Sequence, residues 1–245
     1  MSEIVDFYVS WLGPPAFGVS PTSSVPSPAP APPVPVVVPL PIASFDFNKY
    51  GAGDATIVND VSGGSSATIN EPLENVFVSD ISNSYLEIYA PDNYPSPTGG
   101  ITLPNLSNVT AIELWLQYPT LQTYGQYFVD ARVGSTDSYW IVSDTAADIS
   151  GAWLNGKAYA NTVVTDISGT DPNVAVYLAG GGWHQIVIVP NQSITDDIAL
   201  FMRYSGEQGM PVWIAEILVY DAEITPEIVT ELYNARCSRY GLSPI

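Results

Sequence analysis

From residue 42 onward, apolar and polar positions alternate with a period of two in one short run after another. "IASFDF" (42–47), "NVFVSD" (75–80), "SYLEIYA" (84–90), "QYFVDAR" (126–132), "SYWIVS" (138–143), "NVAVYLA" (173–179), "WHQIVIV" (183–189), "IALFMR" (198–203) and "VWIAEILVYD" (212–221) are rich in β-branched and aromatic residues. That is the pattern of half-buried strands. "NVTAIELWLQY" (108–118) predicts one strand with Thr110, Ile112, Leu114, Leu116 and Tyr118 on one face. The spacers, among them "GSTDS", "SGTDPN" and "PNQSITDD", are turn chemistry, and Asn155-Gly156 in "AWLNGKAY" predicts a hairpin.

One segment has the period of a helix. Thr225 is a good N-cap, Pro226 suits the first helical position, and Glu227 favours the positive end of the dipole. Ile228, Val229, Leu232 and Tyr233 then form an apolar stripe, which Gly241 and Pro244 close. Many short strands and one late helix predict an all-β, jelly-roll sandwich over residues 42–245. Ahead of it, half of the 22 prolines fall between residues 14 and 41, in a stretch without a single charge. This segment favours extended polyproline II and reads as a spacer that lies along a partner's surface. Residues 1–13, with "IVDFYVSWL", read either as a frayed terminus or as a docking peptide that adds as a strand or enters a partner's groove.

Charge changes the picture of what the chain binds. Six Lys and Arg face 25 Asp and Glu, a net charge of −19. Such a surface repels phosphate backbones and anionic membranes, so nucleic acid is set aside and neutral sugars and divalent cations stay open. No apolar run reaches membrane-spanning length, and Glu3 and Asp6 stand where a secretion signal carries basic residues. The lone Cys237 excludes an intrachain disulfide and reads as a small buried hydrophobe.

The order of motifs resembles the laminin-G-like, concanavalin A-like family. "GDATIVNDVSGGSSATI" is similar to its opening loop and first short strand, and "SYLEIYAP" and "LPNLSNVTAIELWLQYP" to strands leading into its core. "GGWHQIVIV" resembles its Trp-His strand, and "IAEILVYDAEITPEIVTELYN" its closing strand, turn and C-terminal helix. "YFVDAR", "WLNGK", "WHQIVIV" and "DDIALFMR", in that order, also resemble variants in proteins of large DNA viruses. The resemblance implies a concanavalin A-like jelly roll with one C-terminal helix, preceded by the Pro-rich extended segment. It does not fix an activity, because lectins, adhesion modules, glucan hydrolases and structural domains share this fold.

Candidate chemistry is sparse. The family's hydrolases place acids two apart on one strand, and no Glu-x-Asp-x-(x)-Glu run occurs here; Glu87, Glu113 and Glu216 stand singly. A glycan hydrolase is therefore the weakest reading. The only histidine, His184, reads as packing. Glu216, in a strand apolar on both faces, requires a counter-charge, expected from Arg203 or Arg132 at the ends of core strands. Asp54 and Asp60 in the opening loop are the candidate ligands for calcium. A glycan site is expected on a rim with Tyr139, Trp140, Trp153 and Asn155, where rings stack on sugars and an amide orients them. The leading expectation is a non-enzymatic structural or surface component of a large particle, such as a minor capsid or surface protein of a large DNA virus. It would meet other proteins of the assembly through residues 1–41. The alternative is a glycan-binding, lectin-like adhesion module.

Overall fold

The computed structural model describes residues 35–51, 53–70, 76–79, 84–88, 99–118, 125–131, 138–142, 147–167, 181–203 and 209–245. Nearly all of the expected docking peptide and spacer, the expected strand 173–179 and Arg132 lie outside them. Val36–Ile245 forms one compact unit. No described helix is long and apolar enough to cross a membrane.

The strands run in chain order as β1 Ala43–Asp46, β2 Thr56–Ile57, β3 Ala67–Ile69, β4 Val76–Ser79, β5 Ser84–Ile88, β6 Ile101–Val109 and β7 Ala111–Gln117. After them come β8 Gln126–Asp130, β9 Tyr139–Val142, β10 Ala147–Ile149, β11 Lys157–Ala160 and β12 Val163–Asp166. The last three are β13 Trp183–Val189, β14 Ile194–Leu200 and β15 Val212–Tyr220, followed by the helix α1, Pro226–Arg236. Two antiparallel sheets result. Sheet A has the order β12-β11-β13-β7-β15-β5-β4, with β1 on the C-terminal half of β15; sheet B has the order β10-β9-β8-β14-β6-β3-β2. The main core lies between them, with Ile112, Leu114, Leu116, Ile186, Ile188, Ile214 and Ile217 from sheet A against Leu103, Phe128, Ile198 and Leu200 from sheet B.

The segment 108–118 is two strands, not one. The chain leaves sheet B at Val109 and enters sheet A at Ala111, and Thr110 makes the corner. Its backbone N–H donates to Tyr220 O at 2.8 Å, and its hydroxyl lies 2.6 Å from Ala222 O. The hairpin also sits elsewhere than expected. Asn155 does take a left-handed conformation (φ 62°), but the turn joining β11 to β12 is Asn161-Thr162, with φ of 45° and 73°. Asn155-Gly156 forms the entry to β11.

The helix follows its sequence signals. Thr225 Oγ1 accepts from Ile228 N–H, and Val229, Leu232 and Tyr233 are buried. A 3-10 turn, Cys237–Tyr240, continues it and ends at Gly241, whose φ of 71° suits a residue without a Cβ. Both pack on the outer face of sheet A. Ala111, Val187, Leu218 and Tyr220 meet α1, and Trp115 and Ala215 meet Tyr233, Cys237 and Tyr240.

Candidate functional site

A bulge places Glu216 beneath the helix. Ile214 faces Leu116 but Glu216 faces Trp115, so Ala215 is the inserted residue and the alternation of β15 resets. Glu216 thereby shares the outer face with Glu113 on β7 and Asp46 on β1. Its counter-charges are Arg236 and Arg239, not Arg203, and Arg132 lies outside the described residues. Arg236 Nε stands 3.2 Å from Oε2, while Arg239 Nη1 donates to Oε1 and its Nη2 also reaches Asp46. Both arginines come from the C-terminal element folded over the sheet, a placement that strand patterning could not supply. Burial pushes the Glu216 carboxyl above its ordinary value, and the two guanidiniums pull it back.

Glu113 is fully buried beside it. Trp115 Nε1 and Gln185 Nε2 donate to its Oε1 at 2.9 and 2.8 Å, and the Tyr220 hydroxyl donates to Oε2 at 2.7 Å. Burial and this carboxylate push the Tyr220 phenol well above its ordinary value, so it remains a donor. The two acids form a polar layer buried between sheet and helix.

The expected aromatic rim does not assemble. Trp140 and Trp153 are both 0% exposed within the main core, so neither can stack on a sugar. Outward alternation cannot be told from inward when a 3-10 turn, Gly151–Trp153, interrupts the strand pattern. Tyr139 is half-buried, edge-on to Tyr127, with its hydroxyl on Asp148 at 3.2 Å. Asp54 and Asp60, the expected calcium ligands, each have a partner of their own. Asp60 is neutralised by Lys49 at 2.7 Å, and Asp54 accepts the Gly51 N–H at 2.9 Å within its own turn. Among the described residues no three His, Cys, Asp or Glu side chains are grouped to hold a metal.

Asn155, by contrast, stands on the wall of an open cleft of about 440 Å³. The cleft is bounded by Asn155–Lys157, by the turn after β13, and by the approach to α1 at Glu223–Thr225. Tyr159, Val189, Pro190 and Ile224 give it an apolar floor; Asn155, Asn191, Gln192 and Ser193 give it an exposed polar rim, which Lys157 and Glu223 extend with opposite charges. Gly156 permits this closeness, because a Cβ there would stand 2.4 Å from Val189 O. The Asn191 N–H donates to Ala152 O at 2.7 Å and fixes the opposite wall. Gln192, Ser193 and Glu223 are the wall residues that sequence reasoning missed. Their signal was the turn "PNQSIT", polar and short, but nothing in it announces its neighbour 35 residues earlier.

No family model and no curated protein sequence matches the chain. Among solved structures, it is similar to domain 4 of AbnA, an extracellular arabinanase from Geobacillus stearothermophilus, in complex with arabinotriose. That match has 17% identity, covers 79% of this chain and 98% of that one, and has a TM-score of 0.46. It is similar to the botulinum neurotoxin type G receptor binding domain at 14% identity over 81% of this chain and 52% of that one, TM-score 0.49. It is also similar to a Trypanosoma rangeli sialidase in complex with sialic acid, at 12% identity over 85% and 36%, TM-score 0.45. With TM-scores this low, the architecture rests on the two sheets themselves: the chain folds as an antiparallel jelly-roll β-sandwich closed by one C-terminal helix.

Proposed function

We propose that this domain is a non-catalytic glycan-binding module and that the cleft beside Asn155 is its site. The observation that carries this reading is the cleft's make-up: an apolar floor ringed by amides and a hydroxyl, with one charge of each sign, Lys157 and Glu223, at its edge. A sugar ring offers an apolar face and a girdle of hydroxyls, which such a surface complements. The buried pairing of Glu216 and Glu113 supports a binding role over hydrolysis, since neither carboxylate is available as nucleophile or acid. Single-site affinity is expected around millimolar, so display in several copies would be needed for adhesion. The test is the full chain, tetramerised through a biotin tag, against a broad panel of neutral and acidic glycans. Binding should be found and should fall in Asn155→Gly, which keeps the left-handed turn, and in Gln192→Ala. Silence across the panel, or full binding by both variants, overturns the reading.

A second reading, a structural or surface component of a large assembly such as a viral particle, has its own support. Val37 and Leu40, in the extended residues 35–41 ahead of β1, are 81% and 86% exposed. An uncharged apolar stretch left open at the start of a folded domain suits contact with another protein. Removal of residues 1–41 should abolish incorporation into such a particle while leaving the thermal transition of the sandwich intact. Incorporation without those residues would refute it.

A further inference from the structure

The outer face of sheet A extends beyond the roof formed by α1 and its 3-10 turn. Trp183 on β13 and Trp213 on β15 both face Gln117 on β7, and Trp213 faces Glu87 on β5 on its other side. Residues opposite one another in paired strands share a face. The row Trp183–Gln117–Trp213–Glu87 therefore crosses four strands on one side of the sheet. That side is the outer one, because the flanking Leu86, Leu116 and Ile214 point into the core. All four side chains are half-buried.

The two indoles are held from behind. Tyr85 stacks on Trp213 at 5.1 Å and meets Trp183 edge-on at 5.6 Å, and Tyr240 lies 5.2 Å from Trp183. Rings packed in this way lose no further freedom when a ligand covers the part still open. Packing alone would account for the rings, and Gln117 between them donates its Nε2 to Gly181 O at 3.0 Å, which leaves its Oε1 and the half-buried Glu87 carboxylate without a hydrogen-bond partner among the described residues.

We propose that this row is a platform for a neutral, equatorially linked polysaccharide chain. One sugar stacks on each indole, and Gln117 and Glu87 bond to hydroxyls. Two interstrand steps set the backbones of the two tryptophans about 10 Å apart, the span of two sugars in an extended chain, so alternate units meet the rings. The protein's net charge of −19 disfavours polyanionic glycans. Tyr85 is inclined by 26° to one indole and 71° to the other, so the indoles are not coplanar. A chain twisted in solution fits them; the flat face of a crystal does not.

The platform uses none of the cleft's residues and stands without it. The test is retardation of the full chain in native gels containing hydroxyethyl cellulose or mixed-linkage β-glucan, with dextran as the axially linked control and crystalline cellulose in a sedimentation assay. Retardation is expected in the first two polymers and absent in dextran, with no adsorption to the crystal. Trp183→Ala and Trp213→Ala should each weaken affinity about two- to tenfold, with Asn155→Gly unchanged. Should either tryptophan variant lack a cooperative melt, Gln117→Ala and Glu87→Gln report on the same row, and each should weaken retardation. No retardation of the wild type, equal retardation in dextran, or unchanged retardation in the folded variants of the row overturns the proposal. Loss in Asn155→Gly alone assigns binding to the cleft and overturns it too.

Discussion

Replacing Glu216 by glutamine tests the clamp between α1 and sheet A. The carboxylate holds Arg236, whose side chain is 27% exposed, and Arg239, which is 39% exposed. A hydrogen bond to a charged group contributes about 1.5–3 kcal/mol, so the better-buried Arg236 contact is placed near 2 kcal/mol. Arg239 is more than a third exposed, and solvent screening limits its share to at most about 1 kcal/mol. Against these gains stands the desolvation of the carboxylate, which burial imposes and a neutral amide largely escapes. Glutamine also keeps one acceptor oxygen. The expected net loss is about 1–3 kcal/mol, or a fall in Tm of about 2–10 °C for a domain of this size. Equilibrium unfolding in guanidinium, followed by tryptophan fluorescence, measures it. A double-mutant cycle with Arg236→Gln should return a coupling of about 1 kcal/mol or more. A Tm that is unchanged or raised would show that the ion pair specifies the helix position without stabilising it.

Two further outcomes follow from the same geometry. Trp153→Ala should cost about 3–5 kcal/mol, as for any large side chain removed from a core, and the milder Trp153→Phe should leave glycan binding intact; binding lost at unchanged stability would refute the core placement. Asn161 Oδ1 accepts the Gln185 N–H at 2.9 Å, which turns its Nδ2 toward His184 Nδ1 at 3.1 Å and so requires a neutral ring. Burial lowers the His184 pKa below its ordinary 6.5. The unfolded chain then takes up a proton that the folded one refuses, so stability is full above that value and declines as pH falls below it. His184→Gln should flatten this part of the stability profile, and an identical slope in both proteins would refute it.

The fold was legible where one local signal sufficed. Thr225, Pro226 and Gly241 bounded the helix because caps act within a turn, and the two-residue period marked the strands because alternation is local. The corner at Thr110 was not legible, since a chain crossing from one sheet to the other can keep its alternation unbroken. Nor was the bulge at Ala215, which turns an apparently buried acid toward the helix. The need of Glu216 for an arginine followed from electrostatics alone. Which arginine depended on where the C-terminal element docks, and that is a tertiary fact. The cleft shows the same division: Asn155 was singled out by its turn chemistry, while the walls facing it come from residues 190–193 and 223–225. Trp183 and Trp213 stand at or near the starts of their strands, far apart in the sequence; only the register across Gln117 aligns them.

The C-terminal element decides what the outer face of sheet A can do. Beneath its length lie Glu113 and Glu216, closed to solvent. At its N-terminal end Ile224 and Thr225 complete the cleft, and at its other end Tyr240 backs Trp183. Eleven residues of α-helix and four of 3-10 helix separate these ends by roughly 20 Å, more than a short oligosaccharide spans. Substitutions that far apart with no shared partner act independently. A short oligosaccharide should therefore register Gln192→Ala but not Trp213→Ala, and a long β-glucan should register Trp213→Ala whether or not the cleft is altered. In the double variant the loss for a long chain should equal that of Trp213→Ala alone. A larger loss in the double variant would mean that one continuous ligand path joins the two ends, and would place the helix surface itself within the site.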